Sequence, residues 1–144
     1  MNRYSVLFFI FISSALFAQS NRYTKGAENG YAWHEMEKAQ LIFNTSKETY
    51  LSSILQRYGL MQEKYQELES FSCQDEIEQL QSEGKSDEIS LDDVIKRIDK
   101  FYSQNSNLII PIIFAYCYCI KEMAGADKKE LNNYKKEVLL FCGD

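Results

Sequence analysis

The chain has 144 residues, of which 45% are hydrophobic, and its net charge at pH 7 is −5. This length suits one domain with a substantial core. The excess of acidic residues argues against binding to nucleic acids or anionic membranes, because affinity for phosphate depends on clustered lysine and arginine. One proline and six glycines, together with long stretches of helical periodicity, favour an all-α fold over a β-sandwich.

The first residues have the pattern of a secretory signal peptide. Arg3 supplies the positive charge, residues 6–12 are an unbroken apolar run, and small residues precede Gln19. We favour cleavage after Ala18, with Ala15 as the alternative. The apolar run is too short to cross a membrane, which takes about 20 residues.

These observations predict a periplasmic or secreted protein that has no stable membrane insertion after the signal is removed. The predicted organisation is a signal peptide over residues 1–18, a flexible leader over 19–30 and a single helical domain over 31–144.

The domain begins with apolar residues at helical spacing from Trp33 to Tyr58, followed by Gly59 as a candidate C-cap. Residues 44–47 are a weak point at which this helix is expected to bend. Residues 60–71 continue as helix, and a short helix around 77–80 is expected to end at Gly84.

Two later helices have marked starting points. Ser90 with Asp93, and Asp127 with Glu130, have the spacing of a capping box. The segment between these helices is apolar around its whole circumference, which predicts a buried central helix at about 109–124. The predicted architecture is therefore a compact all-α bundle of four to five helices around that central helix.

The four cysteines are Cys73, Cys117, Cys119 and Cys142. Export would permit disulfides, and four cysteines allow three pairings. Cys117 and Cys119 point about 200° apart on a helix, which excludes a bond between them. We predict a Cys73–Cys142 bond, because both residues lie at segment ends, with a bond from Cys142 to Cys117 or Cys119 as the alternative.

Nothing in the sequence forms a recognisable catalytic or metal-binding set. His34 is the only histidine, so a histidine metal site or a Ser-His-Asp set would rest on it alone. Acidic runs such as Asp75–Glu78 are more typical of solvated helix faces than of acid/base pairs. We predict no catalytic residue, no metal site and no cofactor, and we favour a non-enzymatic protein.

Two motifs give the chain a resemblance to known proteins. The first is Gly30-x-x-Trp33 at a helix start, and the second runs from Ile98-Asp99-Lys100-Phe101-Tyr102 to Asn107, Ile110, Pro111 and Ala115. Together they resemble a group of small exported bacterial helical proteins of unknown function. The layout is also distantly similar to the Rap1a/Tai immunity proteins of type VI secretion, and this resemblance implies an exported, disulfide-bonded helical protein that binds effector enzymes.

The second motif predicts a structural turn between two helices. Asn107 is expected to cap the following helix, and Asp99 is expected to bond to Tyr102 or to the backbone of the turn. The alternative is a ligand-binding notch built from Asp99, Tyr102 and Asn107.

The leading hypothesis for function is a protein-binding module, in an inhibitory or immunity-like form. Its candidate ligand or partner residues are Trp33, Asp99, Tyr102 and Asn107. The alternative is a small-ligand-binding protein or an enzyme that uses the notch.

Overall fold

A computed structural model describes residues 28–43, 46–64, 66–85 and 90–143. The predicted signal peptide, and the predicted leader as far as residue 27, lie outside the described residues. The α-helices of the described chain are α1 (Gly30–Phe43), α2 (Lys47–Lys64), α3 (Gln74–Ser82), α4 (Leu91–Tyr102), α5 (Ile112–Met123) and α6 (Lys128–Gly143). Short 3₁₀ segments cover Gln66–Phe71 and Asn105–Asn107.

The all-α prediction is confirmed. Six α-helices occur in the described chain, compared with an expected four to five, because α1 and α2 are separate helices where one long periodic stretch was expected. Residues 28–30, the end of the predicted leader, belong to the folded domain, since α1 begins at Gly30.

The prediction of a buried central helix is also confirmed. α5 packs against α2, α3, α4 and α6, and it buries Ile112, Phe114, Ala115, Cys117, Cys119 and Ile120. Its end is fixed by Gly125, whose φ of +100° is left-handed. The N–H groups of Gly125 and Ala126 donate to the carbonyls of Glu122 and Lys121, which is a Schellman motif.

The predicted capping box at Asp127 is complete, and at Ser90 half of it is present. The Ser90 hydroxyl accepts from the Asp93 N–H at 3.2 Å, but the Asp93 carboxylate accepts from that hydroxyl, at 2.8 Å, and not from the Ser90 N–H. Asp127 Oδ1 accepts from the Glu130 N–H at 2.8 Å, while the Glu130 carboxylate accepts from the Asp127 N–H at 2.8 Å. These local hydrogen bonds define where α4 and α6 begin.

The expected C-cap at Gly59 is wrong, because α2 continues through it to Lys64. A glycine lowers helix stability by about 1 kcal/mol relative to alanine, and that cost alone does not end a helix. No helix within the described ranges combines the length and apolar character needed to cross a membrane.

The predicted Cys73–Cys142 disulfide is wrong. Cys73 bonds to Cys117, with the two Cα atoms 5.2 Å apart. α3 packs against α5, so Cys73, one residue before α3, lies beside the central helix and is itself buried. Cys119 and Cys142 are free thiols, and burial raises the pKa of Cys119 to about 12 and that of Cys142 to about 11.

Candidate functional site

The two sequence motifs meet in space. The Gly30 N–H donates to the Leu108 carbonyl at 2.9 Å, and the Ile112 N–H donates to the Glu28 carbonyl at 2.8 Å. Between these bonds, Asn29 and Pro111 form an isolated antiparallel bridge. The start of α1 is thus joined to the segment that leads into α5, and we refer to residues 28–34 and 99–112 together as the motif junction.

Gly30 is required by the closeness of this contact. A Cβ atom at position 30 would lie 2.6 Å from Tyr102 Cδ1 and 2.8 Å from Leu108 Cα. Neither distance is compatible with van der Waals contact, and the Leu108 atom is backbone, so it cannot rotate away. The glycine of the first motif therefore allows the second motif to pack against α1.

Tyr102 joins the two ends of the turn after α4. Its side chain is 1% exposed, and its hydroxyl donates to the Ile110 carbonyl at 2.8 Å. Burial raises the pKa of this hydroxyl well above its ordinary value, so it remains a donor. The carbonyl of Tyr102 lies 3.3 Å from His34 Nε2, and since a carbonyl only accepts, that nitrogen carries the proton.

Asn107 does not cap α5, and this prediction is wrong. Its Nδ2 donates to the Phe101 carbonyl at 2.8 Å, one of the last carbonyls of α4, which have no helical donor. The 3₁₀ segment over Asn105–Asn107 precedes α5 by several residues, and Pro111 occupies the N-cap position without a side-chain bond. Asn107 therefore closes the end of the preceding helix.

Asp99 also differs from the prediction. The sequence predicts a bond to Tyr102 or to the turn backbone, whereas Asp99 Oδ1 accepts from Trp33 Nε1 at 2.7 Å and from Lys47 Nζ at 2.6 Å. Lys47 also donates to Glu37 at 2.8 Å. We call these four residues the Asp99 network, which joins α1, α2 and α4.

Two members of the network, Lys47 and Glu37, are not among the residues predicted from the sequence, and Lys47 is the one at its centre. Its side chain is 12% exposed, and its ammonium lies 5.2 Å from the Trp33 ring centroid, within cation–π range. Burial opposes its charge, but the hydrogen bonds to Asp99 and Glu37, together with the negative charges of these two carboxylates, outweigh burial and raise the pKa of Lys47. A signal was present, because Lys47 lies on the same helical stripe as the buried Leu51 and Ile54.

The four predicted candidate residues all lie in the motif junction, but they do not converge on one point. Asp99 pairs with Trp33 towards α1 and α2, whereas Asn107 contacts Phe101 and, at 3.4 Å, Lys135 of α6. Trp33 and Tyr102 are almost wholly buried, with their polar atoms bonded to protein. In this arrangement the four side chains determine the shape of the junction.

The motif junction also presents large apolar side chains at the protein surface. Over residues 28–39, 46–59, 68–85 and 90–142, large hydrophobic side chains that are more than half exposed occur at Tyr31, Ile109 and Leu140. Tyr31 and Ile109 each follow directly a residue of the Gly30–Leu108 hydrogen bond. The contact that requires Gly30 therefore also holds two exposed apolar residues on neighbouring backbone segments.

Comparisons of the chain with protein-family models, with curated proteins and with solved structures give no match. Within the described ranges, no group of three or more histidine, cysteine, aspartate or glutamate side chains is arranged to hold a metal ion. The geometry of the motif junction is therefore the main indication of function.

Proposed function

We propose that this chain is an exported protein-binding module, with an inhibitory, immunity-like role, and that it contacts its partner through the motif junction. The observation that carries the proposal is the exposure of Tyr31 and Ile109, at 57% and 56%, on hydrogen-bonded backbone. Large side chains presented on a preorganised backbone are typical of interface hot spots, because little ordering entropy is lost on binding.

The interior of the fold supports a role for the surface. Every buried side-chain nitrogen or oxygen of the described residues has a hydrogen-bond partner. Two of the three residues of the predicted ligand notch are used internally: Asp99 holds Trp33 and Lys47, and Tyr102 holds the Ile110 carbonyl. The structure thus favours recognition at the surface over chemistry in a notch.

The disulfide supports the exported location. Disulfides persist in oxidising compartments and are rare in the cytosol, and the Cys73–Cys117 bond links α3 to the central helix. The predicted signal peptide and the bond are consistent with one another. The inhibitory role is added by the resemblance of the two motifs to exported immunity proteins.

Photocrosslinking in the cells that make the protein tests the proposal. A photoreactive amino acid would replace Tyr31 in one variant and Ile109 in another. The control variant would carry it at Gln79, an exposed residue whose amide lies 3.5 Å from the Ala124 carbonyl at the opposite end of α5.

We expect positions 31 and 109 to give the same discrete protein adduct, identified by mass spectrometry, and position 79 to give none. The purified adduct protein should then bind the unmodified chain in solution. Adducts of equal yield from all three positions, or a captured protein that does not bind when purified, would contradict the proposal.

A further inference from the structure

A cleft of about 190 Å³ lies between α4 and α6, next to the motif junction. Its lining includes Arg97 and Lys100 of α4, Lys135 of α6, and Asn107 of the turn. Since one water occupies about 30 Å³ in the liquid, the cleft has room for a few waters or for a single side chain.

The cleft is basic, although the chain has a net charge of −5. Its lining carries three cations and one carboxylate, Glu122, which is paired with Arg97 at 2.7 Å. Lys100 and Lys135 form no ion pair with any residue that the structure describes. A neighbouring depression on α4 shares Arg97 and Lys100, and it adds Asp93 and Lys96, the latter paired with Asp92 at 2.6 Å.

Asn107 adds a buried polar group to this lining. It is 3% exposed, and one of its two amide hydrogens donates to the Phe101 carbonyl. No other described residue accepts the second hydrogen. Lys135 Nζ lies 3.4 Å from Asn107 Oδ1, so an ammonium donor and an amide donor are adjacent in the cleft.

We propose that this cleft receives a carboxylate side chain from an acidic segment of the partner protein. The inference rests on the proposed function and names the chemistry of the partner. Lysine and amide N–H groups donate to a carboxylate, and such charge-assisted bonds are the stronger ones. The acidic remainder of the chain opposes an extended polyanion such as nucleic acid, whereas one acidic segment fits a small basic cleft on an acidic protein.

The cleft and the apolar surface belong to the same region. Asn107 in the cleft directly precedes Leu108, whose carbonyl holds Gly30. A partner that covers Ile109 therefore contacts a residue only two positions after Asn107 in the chain. We infer that apolar contacts at Tyr31 and Ile109 and a charged contact at Lys100 and Lys135 act on one partner, the charged contact setting orientation and association rate.

Binding of a short polyglutamate peptide to the full chain tests the proposal without knowledge of the partner. Calorimetry would give the affinity, and the Asn107 side-chain amide resonance would locate binding in the cleft. The test variant is Lys100→Gln with Lys135→Gln. The control is Lys129→Gln with Lys136→Gln, which removes the same charge from exposed positions on α6.

We expect a shift of the Asn107 amide resonance, a loss of affinity of about tenfold or more in the test variant, and a change within about twofold in the control. Equal losses in both variants, no detectable peptide binding, or equal displacement of the peptide by a DNA oligonucleotide would overturn the proposal. Thermal unfolding of each variant would confirm that it is folded.

The same variants separate this inference from the proposed function. If the test variant still crosslinks from position 31 and binds the captured partner as tightly as the unmodified chain, the carboxylate proposal fails and the protein-binding function stands. If the peptide binds in the cleft but positions 31 and 109 capture no partner, the proposed function fails instead.

Discussion

Replacing Gly30 with alanine tests the packing of the motif junction at a single atom. The new Cβ would lie 2.6 Å from Tyr102 Cδ1 and 2.8 Å from Leu108 Cα. Ordinary contact begins at 3.4 Å, so these atoms must separate by about 0.8 and 0.6 Å. Because Leu108 contributes backbone and its carbonyl accepts from the Gly30 N–H, the separation must strain that hydrogen bond.

Overpacking of this kind costs about 1–3 kcal/mol, and the better helix propensity of alanine returns up to about 1 kcal/mol. We therefore expect Gly30→Ala to lower the free energy of unfolding by about 1–2 kcal/mol. Urea unfolding followed by circular dichroism measures this change.

The matched control is the same substitution at Gly59. It lies inside α2, and nothing stands within 4 Å of its added Cβ. Gly59→Ala should raise the free energy of unfolding by about 0.5–1 kcal/mol, because alanine loses less backbone entropy in a helix. Equal shifts of the same sign for the two variants, or an unchanged midpoint for Gly30→Ala, would refute the close contact at the junction.

Other predictions concern the network, the disulfide and the tyrosines. Asp99→Ala should lower the free energy of unfolding by about 1–3 kcal/mol, because a buried indole N–H loses its acceptor. Asp99→Asn should lower it by less. A urea midpoint of Asp99→Ala equal to that of the unmodified chain would contradict the network. Replacing Cys73 and Cys117 with serine should lower the free energy of unfolding by about 4 kcal/mol, the chain-entropy value for a separation of 44 residues. Urea unfolding of the unmodified chain that does not change when reductant is added would contradict this prediction. The free energy of unfolding should fall as pH rises above about 10, because burial raises the folded-state pKa of Tyr50 and Tyr58 to about 12. From about pH 10 to about pH 12, these tyrosines therefore ionise mainly in the unfolded chain. Replacing both with phenylalanine should flatten the pH profile of stability, and an unchanged profile would contradict this assignment.

Local features of this fold were predictable from the sequence. The N-cap at Ser90 and the capping box at Asp127 act within three residues, and Gly125 ends α5 through bonds to the preceding turn. The central helix was predictable because an apolar circumference leaves burial as the only stable arrangement. In each case the deciding contacts are near neighbours in sequence.

Long-range choices were not predictable in the same way. Cys73 bonds to Cys117 because α3 packs beside α5, and position at a segment end carries no information about that packing. Asn107 carries the same side chain whether it caps the helix before it or the helix after it, and the 3₁₀ segment decides between them.

In the candidate site, too, the sequence identifies individual residues but not the contacts between distant segments. Both motifs were identified from their residues, but their contact through Gly30 and Leu108 is a tertiary event. Lys47 could have been identified as a lone cation on an apolar stripe, yet its partner Asp99 is 52 residues away.

The most direct test of the central claim is an affinity measurement with the partner captured by crosslinking. Tyr31→Ser with Ile109→Ser should weaken binding by about tenfold or more, as expected for hot-spot residues. Leu140→Ser, which removes an equally exposed apolar side chain from α6, should change the Kd by less than about twofold. A double variant that binds as tightly as the unmodified chain, or a Leu140 variant that loses as much, would contradict recognition through the motif junction.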